Sequence, residues 1–418
     1  MRKSLSLSVL GITVASLIFI GAGIITNEPK YGFEDIKGSK ENLGDVVFIQ
    51  GNNTDLYKNV QSTVSKDGFE VKKYSNSKGR DVGHSEYEKL IHSNKDLFRN
   101  SYPLGSGVYK SDENIGYVEE YSQTYNEDGT YSQQFLIRNK DLKTNEINEW
   151  YVTLPENIKE DENVASGFAV SVKGNKLYIL RTVTQGITYN RNGEATEIGD
   201  SYLNLYTFNL ENQEIKLKDN YKPIKNGEYK YLFDTNEVFQ KDNKMYTLVG
   251  RANLKDENKL NYYLVYYDIN SNKFEAIKEP VIKDSASPTL GGNIVISNDI
   301  EGDILYILQH DKSKEKNANV ELSKINLKNN KVEYVDKQYH IGNTNDEYDV
   351  IPFRVIDNKI YMGITNYEEK NQKYGSDMEV KHQIIVLDEN NGQTLYKGEY
   401  INETDFYPNI SIMKNNEL

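Results

Sequence analysis

A short phrase recurs six times along the 418 residues and fixes what this chain can build. It reads GDVVFIQ at Gly44–Gln50, ENIGYVE at Glu113–Glu119, GNKLYIL at Gly174–Leu180, DNKMYTL at Asp242–Leu248, GDILYIL at Gly302–Leu308 and DNKIYMG at Asp357–Gly363. Each copy is a turn followed by an apolar stretch with an aromatic in fifth place: Phe48, Tyr117, Tyr178, Tyr246, Tyr306 and Tyr361. Steps of 69, 61, 68, 60 and 55 residues separate those aromatics, regular enough to mark a repeat and loose enough to hold loop insertions.

Each repeat unit divides into four strands. In the unit starting near Ser166 they are GFAVSV, KLYILRTV, YLNLYTFNL and EIKLKDNY, separated by turn residues. The same order returns as NEVFQ, KMYTLVG, NYYLVYYDI and KFEAIKE, then GGNIVIS, DILYILQ, VELSKINL and KVEYVDKQY, then VIPFRVI, KIYMGIT, HQIIVLD and TLYKGEY. Third strands such as NYYLVYYDI are apolar or aromatic at both parities, so both faces of each sheet must be covered. Four-stranded blades packed face to face around an axis supply that cover, and the expected fold is an all-β propeller of four-stranded antiparallel blades. The two ends of the chain complete one another. FYPNISI near the C-terminus reads as a first strand with no second strand after it, while GDVVFIQ, NVQSTVS and FEVKKYS near the N-terminus read as strands two to four. One C-terminal and three N-terminal strands therefore close the last of six blades, and a closed ring leaves no raw edge. A seventh blade stays open only if Lys78–Lys110 hides one. That stretch instead carries a capping-box pattern at Ser85 and Glu88 and helical spacing at Tyr87, Leu90, Ile91 and Leu97, predicting a short inserted helix near 81–98 that covers one end of the ring.

Ahead of the propeller, Ser4–Thr26 is a run of 23 uncharged residues behind Arg2 and Lys3. It is long enough to span a hydrocarbon core of about 30 Å and longer than an ordinary signal-peptide core. The reading is a signal anchor over 1–26 with its basic end cytoplasmic, in preference to a cleaved signal peptide. Residues 27–43 are polar without periodicity and read as a flexible tether, leaving 44–418 for the propeller. The chain has no cysteine, which excludes disulfides and a lipid-modified cysteine, so the fold must stand on its own core. Hydrophobic residues make up only 37%, and 33 tyrosines supply the missing buried area with a polar tip. Without residues 1–30 the chain holds 47 basic against 62 acidic side chains, a net charge of −15 that repels nucleic acid and argues against tight association with an anionic surface.

Sites are harder to read. Turns from first to second and from third to fourth strand are short, whereas the second-to-third connections Thr184–Ser201, Ala252–Leu260, Asp311–Asn319 and Tyr367–Lys381 are long and polar, the mark of a binding face on a rigid frame. Asp234, Asp284, Asp349 and Asp405 stand ahead of first strands on that same face. Gathered at the mouth of a channel they could bind a ligand or draw a cation, with calcium suited to oxygen ligands; the plainer reading is local turn bonding. The five histidines show no zinc spacing, and no nucleophile elbow, phosphate loop or dinucleotide fingerprint occurs, so no catalytic residue or cofactor is assigned. Arg138, Arg181, Arg251 and Arg354 read as ion pairs between blades. With its anchor, its KYGFEDIKG segment and its Lys, Asn and Tyr-rich propeller, the chain resembles membrane-anchored extracytoplasmic proteins of low-GC Gram-positive bacteria, a group without a catalytic motif to carry over. The resemblance implies a location outside the membrane and carries over no function. The expected function is a non-enzymatic binding or scaffold module with a membrane or envelope protein partner, accessory to a transporter or sensor. The alternatives are a propeller hydrolase or lyase using carboxylates at the channel mouth, and a structural envelope protein.

Overall fold

The computed structural model describes residues 31–55, 58–75, 90, 93–99, 107–155, 158–159, 162–163, 168–185, 187–189, 195–198, 201–221, 229–253, 256–285, 294–297, 303–310, 319–342, 347–369, 378–402 and 409–415. They are almost wholly β. After β1 (Tyr31–Gly38) and a 3-10 turn (Lys40–Leu43) come β2 (Val46–Asp55), β3 (Lys58–Ser65) and β4 (Gly68–Ser75), three strands of the first sheet. The second sheet is β5 (Val108–Lys110), β6 (Asn114–Tyr125), β7 (Thr130–Asp141) and β8 (Ile147–Thr153), with β9 (Ile158–Lys159) also against β7. Next come β10 (Glu162–Asn163), β11 (Phe168–Lys173), β12 (Lys176–Gln185), β13 (Ile187–Tyr189), β14 (Ala195–Ile198), β15 (Ser201–Asn209) and β16 (Ile215–Tyr221). In this third sheet β11, β12, β15 and β16 form the meander, β10 extends it, and β13 pairs with β14 alone. The fourth sheet is β17 (Tyr229–Lys241), β18 (Lys244–Asn253), β19 (Asp256–Asp268) and β20 (Lys273–Ala276), with β21 (Ile282–Ser285) beside β19. The fifth is β22 (Ile294–Ile296), β23 (Ile304–His310), β24 (Asn319–Asn326) and β25 (Lys331–His340); the sixth is β26 (Glu347–Ile356), β27 (Lys359–Glu369), β28 (Met378–Asp388) and β29 (Thr394–Asn402). The last strand, β30 (Asn409–Lys414), returns to the first sheet in the order β30-β2-β3-β4, with Phe48 opposite Ile412.

All these pairings are antiparallel, and the chain's two ends share one sheet as the sequence predicts. Apolar cores join the sixth sheet to the first around Phe48 and Tyr361, the second to the third around Phe135 and Phe168, and the third to the fourth around Tyr178 and Tyr267. Similar cores join the fourth to the fifth and the fifth to the sixth. First strands of neighbouring sheets touch, β5 with β11, β11 with β17, β22 with β26 and β26 with β30, which turns them inward. Tyrosine packs much of this interior because each ring removes a large apolar area from water while the hydroxyl can reach an acceptor: the Tyr339 hydroxyl donates to the Glu389 carbonyl at 2.9 Å and the Tyr396 hydroxyl to Asp35 Oδ1.

The two ends of the sheets are built differently. At one end, first-to-second turns such as Asp242-Asn243 and Asp357-Asn358 hold two consecutive residues at positive φ, the twist-matched hairpin turn that Asp and Asn tolerate. Third-to-fourth turns repeat one device: Asp141, Asn209, Asp268, Asn326 and Asp388 each accept a backbone N–H two residues on through their side-chain oxygen. Four residues further along stand Asn145, Gln213, Asn272, Asn330 and Gly392, all at positive φ. The two kinds of turn are then tied together, since Leu142, Leu210, Ile269, Leu327 and Glu389 donate their N–H to carbonyls of Glu113, Asn175, Asn243, Asp303 and Asn358. At the opposite end the second and third strands run on as ribbons, to Asp55↔Lys58, Tyr125↔Tyr131, Asn253↔Asp256 and Glu369↔Met378. The described parts of the expected loops Ala252–Leu260 and Tyr367–Lys381 are strand, and Thr184–Ser201 carries the β13–β14 hairpin; cross-strand pairing satisfies the backbone where polar composition suggests loop.

Two further expectations change. The tether read over 27–43 is structured from Tyr31: β1 pairs with β29 from Tyr31↔Asn402 to Gly38↔Tyr396 and makes the sixth sheet five-stranded. Its apolar packing comes from Phe33, against Phe69 and Tyr400, while Glu34–Gly38 are exposed. Of the helix expected near 81–98, Leu90 and Ser93 have helical backbone and Asn94–Arg99 form turns; the remainder lies outside the described residues. Leu97 and Phe98 are fully buried, with Phe98 stacked on Tyr117 at 5.4 Å, so this segment covers a flat face of the second sheet rather than an end of the ring. The apolar run Ser4–Thr26 lies outside the described residues, and among those that are described no helix is long and apolar enough to cross a membrane.

Candidate functional site

Three of the four aspartates lie in described strands. Asp234 lies within β17, where pairing with β18 is interrupted between Phe233 and Val238. Asp349 lies within β26, directly opposite Thr365 and just before a similar interruption at Val350–Phe353. Both occupy inward first strands, inside rather than ahead of them. Asp284 falls in β21, which pairs with the third strand β19 on the outer side of the fourth sheet, so the strand order separates it from the other two. Asp405 lies outside the described residues. Among the described residues no three of His, Asp and Glu come together to hold a metal ion.

What the sixth sheet does assemble is a polar row. Directly opposed positions run Asp349↔Thr365, Thr365↔His382, His382↔Tyr400 and Tyr400↔Phe33 across all five strands. The Thr365 hydroxyl and His382 Nδ1 are 3.2 Å apart. His382 is only 6% exposed, and burial lowers its imidazole pKa to about 4, so it is neutral at physiological pH. On the neighbouring first sheet Gln50 and Ser62 are buried as well and bonded to each other at 3.0 Å. On the parity that faces the fifth sheet, Gln383 Nε2 donates to Glu399 Oε2 at 2.6 Å. The sequence marked His382 only as an unpaired histidine; its neighbour Thr365 comes from a different strand, and no spacing rule joins them.

A second polar cluster sits between the second and third sheets. Arg181 on β12 is fully buried; its Nη2 donates to Gln133 and lies 3.3 Å from Glu120 Oε1, and the guanidinium carbon stands 5.6 Å from the centre of the Phe135 ring. This is the ion pair between sheets that the sequence suggests. Arg138 instead pairs with Glu149 of its own sheet at 3.2 Å and donates to the Arg99 carbonyl, and Arg354 donates to the Ile412 carbonyl at 2.9 Å. Arg181, Glu120, Thr365 and His382 all lie on the ribbon side of the repeat aromatics, in the middle of their strands. Buried polar groups also occur at the hairpin end, where Asn139 Nδ2 donates to Asn114 Oδ1 at 2.9 Å and Glu389 pairs with Lys324.

No family model matches the chain, and no curated protein matches it. Similar solved structures include cobalt-substituted ACO of Synechocystis, 10% identical over 93% of this chain and 96% of that one at a TM-score of 0.42. They also include the β-fructofuranosidase BmSUC1 of Bombyx mori, 11% identical over 72% and 68% at 0.32, and the β-xylosidase RS223, 13% identical over 58% and 92% at 0.31. At these scores the likenesses carry no argument for this chain, whose architecture rests on its own strand pairing.

Proposed function

We propose that the six sheets are the blades of one closed propeller, and that the protein is a non-enzymatic binding module held outside the cytoplasmic membrane by its N-terminal apolar run, accessory to a transporter or sensor. One observation carries the reading: the hairpin end is tied turn to turn, while the opposite end projects two-stranded ribbons beyond the sheets. Extensions on a rigid frame are where binding residues accumulate. A net charge of −15 beyond residue 30 favours a protein or small-molecule ligand over nucleic acid. The test is a thermal-shift series on the full chain in detergent with calcium, sugars and soluble envelope polymers. A ligand at a hundred times its Kd adds about 2.7 kcal/mol to native stability and raises Tm. Turnover of glycosides, lactones or phosphoesters by the same preparation would overturn the non-enzymatic reading.

A hydrolase or lyase is the second reading, favoured by the Asp349–Thr365–His382 row, in which a hydroxyl meets a neutral imidazole next to a carboxylate position. On that reading Asp349→Ala combined with Asp405→Ala abolishes turnover and leaves Tm unchanged.

A further inference from the structure

We infer that the ribbon end of the propeller is its membrane-proximal face, so that whatever it binds is carried by the same bilayer. The inference rests on the anchor in the proposed function and adds the direction in which the molecule is held. β1 is the first described element after the apolar run, and its polarity decides the matter. Thr394 of β29 follows the tied third-to-fourth turn, so β29 leaves the hairpin end and reaches the ribbon end at Asn402. Tyr31 pairs with Asn402 and Gly38 with Tyr396, so β1 enters at the ribbon end and runs toward the hairpins. Only Asn27–Lys30 separate Tyr31 from the end of the apolar run at Thr26, and five steps of at most ~3.6 Å reach about 18 Å. That is shorter than the strands themselves: β6, at 12 residues and roughly 3.3 Å each, is on the order of 40 Å long. The hairpin end cannot be brought to the bilayer by so short a link while β1 stays paired.

β1 is well fastened. Phe33 packs on Phe69 and Tyr400, the Tyr396 hydroxyl donates to Asp35 Oδ1, and Lys40 bridges Asp35 at 3.0 Å. At the far end Lys359 donates to the Asn42 carbonyl at 3.0 Å and Asn42 Nδ2 to the Leu395 carbonyl at 3.0 Å. Glu127 and Asp128 are exposed at the tip of the second sheet's ribbon, and beyond residue 30 the chain carries a net charge of −15. An acidic surface of this kind is repelled by an anionic lipid surface and suits a basic extracytoplasmic segment of a membrane-embedded protein.

The chain has no cysteine, so single labels are clean. Glu127→Cys at a ribbon tip and Asp112→Cys at a hairpin turn of the same sheet are each labelled with a fluorophore in the full chain. The proteins are reconstituted in zwitterionic vesicles and in vesicles with added phosphatidylglycerol, and quenching by a headgroup-attached acceptor is read. The expected result is several-fold stronger quenching at position 127 than at 112 in both lipids, with no increase on adding anionic lipid. Stronger quenching at 112, or equal quenching, overturns the orientation. A rise at position 127 with phosphatidylglycerol makes the lipid itself the partner and overturns the protein-segment assignment. If the chain fails to float with vesicles after an alkaline wash, the anchor reading falls and the inference with it, an outcome separate from flotation with reversed labels.

Discussion

His382 and Arg181 are both buried in the interior of the sheets, and each makes a test. A base whose folded pKa is held near 4, against 6.5 unfolded, resists protonation only while the fold stands. Protons therefore bind the unfolded chain preferentially between those values, and the stability contributed by a neutral His382 is complete above pH 6.5 and lost as pH falls toward 4. The difference is on the order of 3 kcal/mol. His382→Asn should flatten the Tm profile across pH 6.5 to 4 relative to the parent; parallel profiles would show that His382 does not set the acid slope. Arg181→Ala strands Glu120 and Gln133 at the interface of two sheets. Urea unfolding should show a loss of about 3 kcal/mol, the low end for breaking a buried pair, because Glu120 retains some water. The double change Arg181→Met with Glu120→Gln should recover most of it, since it removes the charge imbalance and keeps the apolar volume.

At the level of elements, β1 separates a strand from a tether. Its seat depends on Gly398 of β29: an added Cβ there would run into the Phe33 ring and crowd the Tyr396 hydroxyl, displacing the ring from its packing on Phe69 and Tyr400. Gly398→Val should therefore release β1 while the four-stranded core of the sixth sheet stands. Limited proteolysis is expected to cut within residues 31–43 at a rate at least tenfold above the parent, with circular dichroism of the core retained. Unchanged protection of that segment would mean that β1 is held by something other than this contact. Gly38, at φ 80°, marks where β1 ends, because any side chain at that turn would strike the Leu395 carbonyl.

For the whole molecule, the decisive joint is β30. It supplies the inward strand of the first sheet and buries Ile410 and Ile412 against the sixth, beside Phe48 and Tyr361. Without it β2 presents an unpaired ladder with Val46, Val47, Phe48 and Ile49 along it, an edge that templates association. Deleting residues 409–418 should leave a chain that oligomerises on size-exclusion chromatography and unfolds at least 15 °C below the parent. A synthetic peptide covering 406–415 should partly restore the monomer. A deleted chain that stays monomeric at the parental Tm would show that the two termini do not hold the molecule together.

Much of this was legible in the sequence because propeller-like repeats are built from local rules. The hairpin turns need Asp, Asn or Gly at positive φ, and the second strands need an aromatic at a fixed distance from that turn, so residues such as Asp357, Asn358 and Tyr361 announce their places without knowledge of the rest. The sheet shared by the two ends was legible too, since FYPNISI lacks a partner that GDVVFIQ supplies. The sequence by itself thus determined strands, their order within each sheet and the pairing of the termini, all consequences of periodicity and turn stereochemistry. Only the tertiary structure decided that Tyr31–Gly38 is a strand, that Asp284 stands on the outer side of its sheet, and that His382 meets Thr365 while Arg181 meets Glu120. Those facts depend on register between strands distant in sequence and on burial, which sets an imidazole's charge and an arginine's partner, and neither quantity is written in local composition.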